Sequence, residues 1–302
     1  MKLLSRIALA LALVCGLGLP VRAQMFLHDT WADGTRNNTA LPAESAWFSS
    51  DSSGASLTAA PGSMTAAIPS GSSLWAAFFT PAGSPASLAV GETLTARAVF
   101  TPAGVAANNT SRGLRIGLYN FSDGGTRMSA DGFSTGSGTG APGANVQGYM
   151  LNMNFGTTFG VDTPLQIMER TAVSSINLMG ASGDFTALSS GPAGSLNATA
   201  FTSGVEYTLQ FSVTRTGADS VDVTTRFTGD GLNLSHTATD AAGATLAFDA
   251  FAIRPAGSAS VATSLVFREF DVTVVPEPST WAMVVVQMAL ALGLVWRRRV
   301  RA

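Results

Sequence analysis

Apolar and polar residues alternate with a period of two along much of the chain. In Glu206–Arg215, Tyr207, Leu209, Phe211 and Val213 fall on one side, and Thr208, Gln210, Ser212 and Thr214 on the other. Val221, Val223, Thr225 and Phe227 repeat the pattern against Asp222, Thr224 and Arg226. Leu114, Ile116 and Leu118 alternate in Arg112–Tyr119, and Tyr149, Leu151, Met153 and Phe155 do so in Gly148–Phe155. In the last run, Val266, Phe270, Val272 and Val274 are expected to share a face. A strand sends successive side chains to opposite faces, so these runs predict half-buried antiparallel strands.

Turn chemistry separates the runs. Thr216–Ser220 and Gly229–Gly231 predict hairpin turns, and Ser122-Asp-Gly-Gly125 predicts a third. No amphipathic helical run precedes residue 276. Together they predict an all-β fold, an antiparallel β-sandwich of the jelly-roll kind with about a dozen strands, over residues 24–274. The glycine-rich stretch Asp131–Asn145 reads as a long loop. It is either an insertion tolerated at a sheet edge or a binding loop at the rim.

The two ends follow different rules. Lys2 and Arg6 precede the apolar run Ile7–Leu19, and Val21-Arg22-Ala23 follows it. That order predicts a secretory signal helix over residues 1–23, cut by signal peptidase after Ala23. The single cysteine, Cys15, lies within it, so the exported chain would rely on its core without a disulfide. At the other end, residues 279–296 carry no charge and are just long enough, as a helix, to cross a hydrocarbon layer of about 30 Å. Trp281 and Trp296 suit the two interfaces, and Arg297, Arg298, Arg299 and Arg301 predict a cytoplasmic tail. Before this span stands Pro276-Glu277-Pro278. Two prolines fix φ and remove two donors, so the segment is expected to stay extended, outside any sheet or helix, and open to a protease.

A Pro-Glu-Pro, one apolar span and a terminal arginine cluster resemble the PEP-CTERM sorting domain, here residues 275–302. The resemblance implies processing by an exosortase-type membrane protease in a Gram-negative bacterium that makes extracellular polysaccharide. It also implies export through the inner membrane, transient anchoring there, and delivery to the cell surface or the medium. A looser resemblance covers the middle. His28–Asp33, Ala46–Ser50 and the final Phe267–Val274 are similar to the concanavalin A-like jelly rolls, which include carbohydrate-binding modules and glycoside hydrolases.

Between residues 24 and 275 every basic residue is arginine, ten in all against 18 acidic residues, for a net charge of −8. An acidic chain without lysine there argues against nucleic acid as a partner. Catalytic and metal-binding patterns are sparse. Glu269 and Asp271 would supply the first two acids of a Glu-x-Asp-x-x-Glu glycosidase strand, but Val274 replaces the third. His28 and His236, the two histidines, lack metal-spaced partners, and no Gly-x-Ser-x-Gly elbow marks a nucleophile. Neither a catalytic residue nor a metal ligand set is assigned. Calcium is the one cofactor the loops invite, through Asp123, Asp131, Asp162, Asp184 and Asp230. Trp31 and Trp47, near turn signals, are the candidate rings for stacking on a sugar face, with core packing as the alternative. The expectation is a non-catalytic surface or matrix protein associated with exopolysaccharide, with a carbohydrate-binding module or a secreted hydrolase as alternatives.

Overall fold

The computed structural model describes residues 23–276, apart from 52, 53, 55, 108, 109, 122, 123, 134–141, 173–177 and 181. Residues 1–22, expected to be a signal helix, lie outside the described residues, as do Glu277, Pro278, the apolar run 279–296, and Arg297, Arg298, Arg299 and Arg301. Among the described residues no helix is long and apolar enough to cross a membrane.

Among the described residues seventeen strands run in chain order. They are β1 (Gln24–Asp29), β2 (Trp47–Ser49), β3 (Leu57–Ala60), β4 (Ser63–Ala67), β5 (Trp75–Phe78) and β6 (Ala86–Ser87). Then come β7 (Glu92–Ala103), β8 (Leu114–Asn120), β9 (Gln147–Met153), β10 (Leu165–Arg170) and β11 (Phe185–Gly191). The chain closes with β12 (Tyr207–Arg215), β13 (Val221–Gly229), β14 (Leu232–Asp240), β15 (Ala247–Phe248), β16 (Ala250–Pro255) and β17 (Ser264–Pro276). The first sheet runs β14-β13-β12-β7-β17-β4-β3, with β1 also paired to β17; the second runs β11-β10-β9-β8-β16-β5-β2. All registered pairs are antiparallel. The molecule is an antiparallel β-sandwich, as the alternation predicts. The strand number exceeds the expected dozen because β2, β5, β6 and β15 have two to four residues, too few for a period to register.

The hairpin β12–β13 turns at Thr216–Ser220, where Thr216 N donates to Ser220 O at 3.0 Å. The hairpin β13–β14 turns on Asp230 and Gly231, whose φ values of 49° and 76° are those of a two-residue turn matching strand twist. Asn120 pairs with Gln147, so β8 and β9 are joined by a long excursion and not by the tight hairpin expected at Ser122–Gly125, of which 122 and 123 lie outside the described residues. The last run also differs from expectation. Leu265 and Phe267 face the core together with Phe270, Val272 and Val274, while Val266 faces the other way. Arg268 and Glu269 both stay outside the core, so the inward parity changes across them. Pro276 is the last residue of β17, where the expectation kept it outside any sheet. A proline ending a strand forfeits no ladder bond that the sheet needs.

Apolar residues of both sheets form one interlayer core, containing Leu118, Leu151, Phe211, Phe227, Phe251 and Phe270. A second apolar cluster lies on the outer face of the second sheet. There Tyr119, Met150, Met168 and Ala250 pack with Phe121, Met128, Leu178 and Met179 from the excursion and from the β10–β11 connection. Strands β5, β8, β9 and β16 are therefore buried on both faces, and their sequences read as continuous small or apolar runs. The outer face of the first sheet keeps the alternation, with Thr and Ser outward on β12, β13 and β14.

Candidate functional site on the outer face of the second sheet

The two tryptophans offered for sugar stacking are interior. Trp31 is 1% exposed and Trp47 0%. Their ring centroids lie 6.2 Å apart, with Phe267, Phe270 and Phe251 around them. Both belong to the interlayer core, so neither presents a face to a ligand. Trp31 has a φ of 51°, unusual for so bulky a residue. Buried Asp29 holds it there by accepting Trp31 N at 2.9 Å, while Trp31 O takes Gly34 N and Gly62 N. Burial raises the Asp29 pKa, and the N–H groups of Trp31 and Ser45 offset part of that rise.

Pairing of β1 with β17 creates a cluster that sequence spacing conceals. His28 and Asp271 are register partners. His28 Nδ1 lies 2.6 Å from Asp271 Oδ1 and 3.9 Å from Glu269 Oε1. Arg97 on β7 donates to both carboxylates, at 2.8 Å to Glu269 Oε2 and 2.9 Å to Asp271 Oδ2. Burial would lower the Arg97 pKa, but these bonds outweigh it and raise it. His28, Glu269 and Asp271 offer ligand atoms within 4.8 Å of one another. The set does not fit calcium. That ion wants six to eight oxygens, and Arg97 already holds both carboxylates. The loop acids converge no better. Asp131 is taken by Arg36, at 2.6 Å, and by Ser49 N, at 2.8 Å. Asp162, Asp184 and Asp230 join no group of three ligands among the described residues, and Asp123 lies outside them. We expect millimolar calcium or excess chelator to leave the thermal midpoint within about 1 °C of its starting value. Calorimetry checks this, and a rise of several degrees with calcium would overturn it.

His236 on β14 meets Ser189 on β11 where the edges of the two sheets approach, with Nε2 3.0 Å from Oγ. Burial lowers the His236 pKa, against a backbone bond to Ser189 that raises it. No carboxylate among the described residues bonds this ring. A Cβ on Gly191 would stand 2.4 Å from His236 Nδ1, so that edge of the ring lies against β11. A nucleophile–base pair needs a third group there to orient the base, and the strand fills the place.

The outer face of the second sheet also carries polar side chains, among them buried Arg170, which donates to Leu178 O and Gly143 O, and one row across four strands. Register places Gln166 of β10 beside Asn152 of β9, Asn152 beside Arg115 of β8, and Arg115 beside Arg254 of β16. Arg115 donates through one nitrogen to the carbonyls of Met179 and Gly180. Burial pushes its pKa down. Arg254 is half-buried, and no hydrogen bond or ion pair engages it among the described residues. Asn152 is 7% exposed. Its Nδ2 donates to Gln166 Oε1 at 3.4 Å, which leaves a buried Oδ1 without a partner. A cavity of about 540 Å³ opens among Ser50, Asp51, Ser56, Pro69 and Ser73. Ser73 N donates to Pro255 O, one residue beyond Arg254, at 3.4 Å. The row was not legible in sequence, since arginines 115 and 254 meet only through strand pairing.

No family model matches this chain, and no curated protein matches it. Solved structures share its outline. The exoplasmic/lumenal domain of VIP36, in its Ca²⁺/Man-bound form, is similar with a TM-score of 0.47 and 11% identity, over 83% of this chain and 91% of that one. Lectin II from Ulex europaeus is similar with a TM-score of 0.43 and 12% identity, over 78% and 94%. An endo-1,3-beta-glucanase from Streptomyces sioyaensis is similar with a TM-score of 0.44 and 12% identity, over 86% and 99%.

Proposed function

We propose that this chain is an exported surface or matrix protein whose sandwich, of the concanavalin A-like jelly-roll kind, associates with extracellular polysaccharide without cleaving it. The observation that carries the reading is the row Gln166–Asn152–Arg115–Arg254, where the Arg254 guanidinium and Asn152 Oδ1 are left as a donor and an acceptor for sugar oxygens, beside an Arg115 that is only partly engaged. Two features support the non-catalytic part. Arg97 ties up Glu269 and Asp271, and the Ser189–His236 pair has no orienting acid among the described residues.

The ends of the sandwich agree with delivery by cleavage on both sides. Gln24, directly after exposed Ala23, pairs with Val274, two residues before Pro276. Cuts after Ala23 and near Pro276-Glu277-Pro278 would leave the interlayer core whole. In this reading signal peptidase makes the first cut and an exosortase-type protease the second. The inner membrane holds the chain between them through residues 279–296, with Arg297, Arg298, Arg299 and Arg301 inside.

The test is expression of the full chain in a polysaccharide-producing host, with and without its exosortase, followed by mass spectrometry and cosedimentation. The expected product begins at Gln24, ends near Pro276–Pro278 only when the exosortase is present, and sediments with the polysaccharide. An intact C-terminus in both hosts would overturn the sorting reading. Failure to sediment with any polysaccharide would overturn the binding reading.

A further inference from the structure

Arg254 faces outward on β16 with Arg115 as its register partner on β8. Like charges directly opposite on neighbouring strands oppose sheet formation. Arg115 is partly compensated by two loop carbonyls. Arg254 has no such compensation among the described residues. Burial first, and Arg115 second, push its pKa down to about 10. A half-buried cation beside another cation costs stability unless something anionic meets it. One strand beyond Arg115, the buried Oδ1 of Asn152 is an acceptor with nothing to accept from.

These features fit one kind of ligand. Carboxylate or sulfate oxygens suit the planar guanidinium fork, often two at a time. A neighbouring hydroxyl on the same molecule could donate to Asn152 Oδ1. A bare inorganic anion would satisfy the arginines and leave that acceptor unmet, while a neutral sugar would do the reverse. We infer that Arg254 and Arg115, with Asn152 and Gln166, form a subsite for an anionic sugar residue, carboxylate- or sulfate-bearing. The inference rests on the polysaccharide association proposed above and names the chemistry of its ligand. The net charge of −8 opposes a polyanion at long range, so contact at the subsite must supply the selectivity.

The experiment uses the purified full chain, titrated with polygalacturonate, dextran sulfate and neutral dextran, and compared with Arg254→Gln, Arg254→Lys and Arg268→Gln. Arg268 is exposed on the first sheet and serves as the charge control. Saturable binding to polygalacturonate or dextran sulfate is expected, weakened about tenfold or more in Arg254→Gln and less in Arg254→Lys. Arg268→Gln should bind as the native chain does. Preference between the two polyanions identifies carboxylate or sulfate as the source. The thermal midpoint of Arg254→Gln should equal or exceed the native value, since an uncompensated charge is removed. The anionic polymer should raise the midpoint of the native chain and not that of the variant. Equal binding by Arg254→Gln, or tighter binding of neutral dextran, would overturn the subsite while leaving polysaccharide association intact. Retention of none of the three polymers, nor of the host polysaccharide, would overturn both.

Discussion

Trp47→Ala is expected to destabilise the sandwich by about 4 kcal/mol, a large part of the stability of a single domain. Trp47 is 0% exposed. Its ring meets Phe270 edge-on at 5.0 Å and lies 6.2 to 6.4 Å from Trp31, Phe251 and Phe267. The neighbouring rings come from the turn after β1, from β16 and from β17, so three separate segments close around this side chain of β2. Truncation to alanine removes the contacts of a large ring and leaves a void that close-packed neighbours fill only in part. Trp47→Phe keeps an aromatic ring and is expected to cost less than half as much. Denaturant unfolding checks both, through a shift of the midpoint at unchanged slope. A loss below about 1 kcal/mol for Trp47→Ala would mean that the ring is accessible, as a sugar platform would be.

The second large effect is expected at Arg36. Its guanidinium and Nε donate to Leu57 O at 2.9 Å, Trp47 O at 2.6 Å and Gly54 O at 3.3 Å. They also donate to both oxygens of Asp131, at 3.1 and 2.6 Å. One side chain thus joins β2, the chain entering β3 and the start of the glycine-rich loop. The pair is mostly withdrawn from water, with Arg36 12% and Asp131 23% exposed at the side chain. Arg36→Met keeps the stem and strands the carboxylate, and we expect a loss of about 3 kcal/mol. Asp131→Asn should be milder, because an amide still meets Ser49 N and one guanidinium nitrogen.

The pair also sets an acid limb of stability. Burial alone would raise the Asp131 pKa, but Arg36 and Ser49 N outweigh it and the net shift is downward. A carboxyl whose folded pKa is depressed stabilises above its unfolded value, and that contribution is lost as pH falls through the folded pKa. Asp29 has the opposite sign: its pKa is raised, so its contribution is present below the unfolded value and lost as pH rises through the folded one. Subtracting the Asp131→Asn curve from the native one, between about pH 6 and pH 3, removes the Asp29 part. The difference should shrink steadily towards acid. A difference independent of pH would mean that the ion pair contributes nothing.

The sandwich was legible because the period-2 signal is local. Tyr207–Val213 and Val221–Phe227 are each long enough for alternation to fix which face is wet, and Asp230-Gly231 marks its turn unaided. The signal failed where elements are short or wet on neither face. Trp75–Phe78 is buried on both sides and shows no alternation at all. The parity change across Arg268–Glu269 put Val266 on the wrong side of an otherwise sound assignment, since one extra residue reverses every side chain beyond it.

Sequence alone determined the class of fold, the turns of the longest hairpins and the acidic, lysine-free character of residues 24–275. Those depend on neighbours a few residues apart. Tertiary structure decided everything that depends on pairing across long separations. Trp31 and Trp47 look equally suited to a surface or a core until β1, β2 and β17 close over them. His28 has no partner in sequence, yet β1 pairing with β17 sets it beside residue 271. Arg115 and Arg254 stand 139 positions apart and become neighbours through the β8–β16 register alone. Strand pairing is non-local, so side chains on one sheet row carry no common mark along the chain, and only the fold brings their charges together.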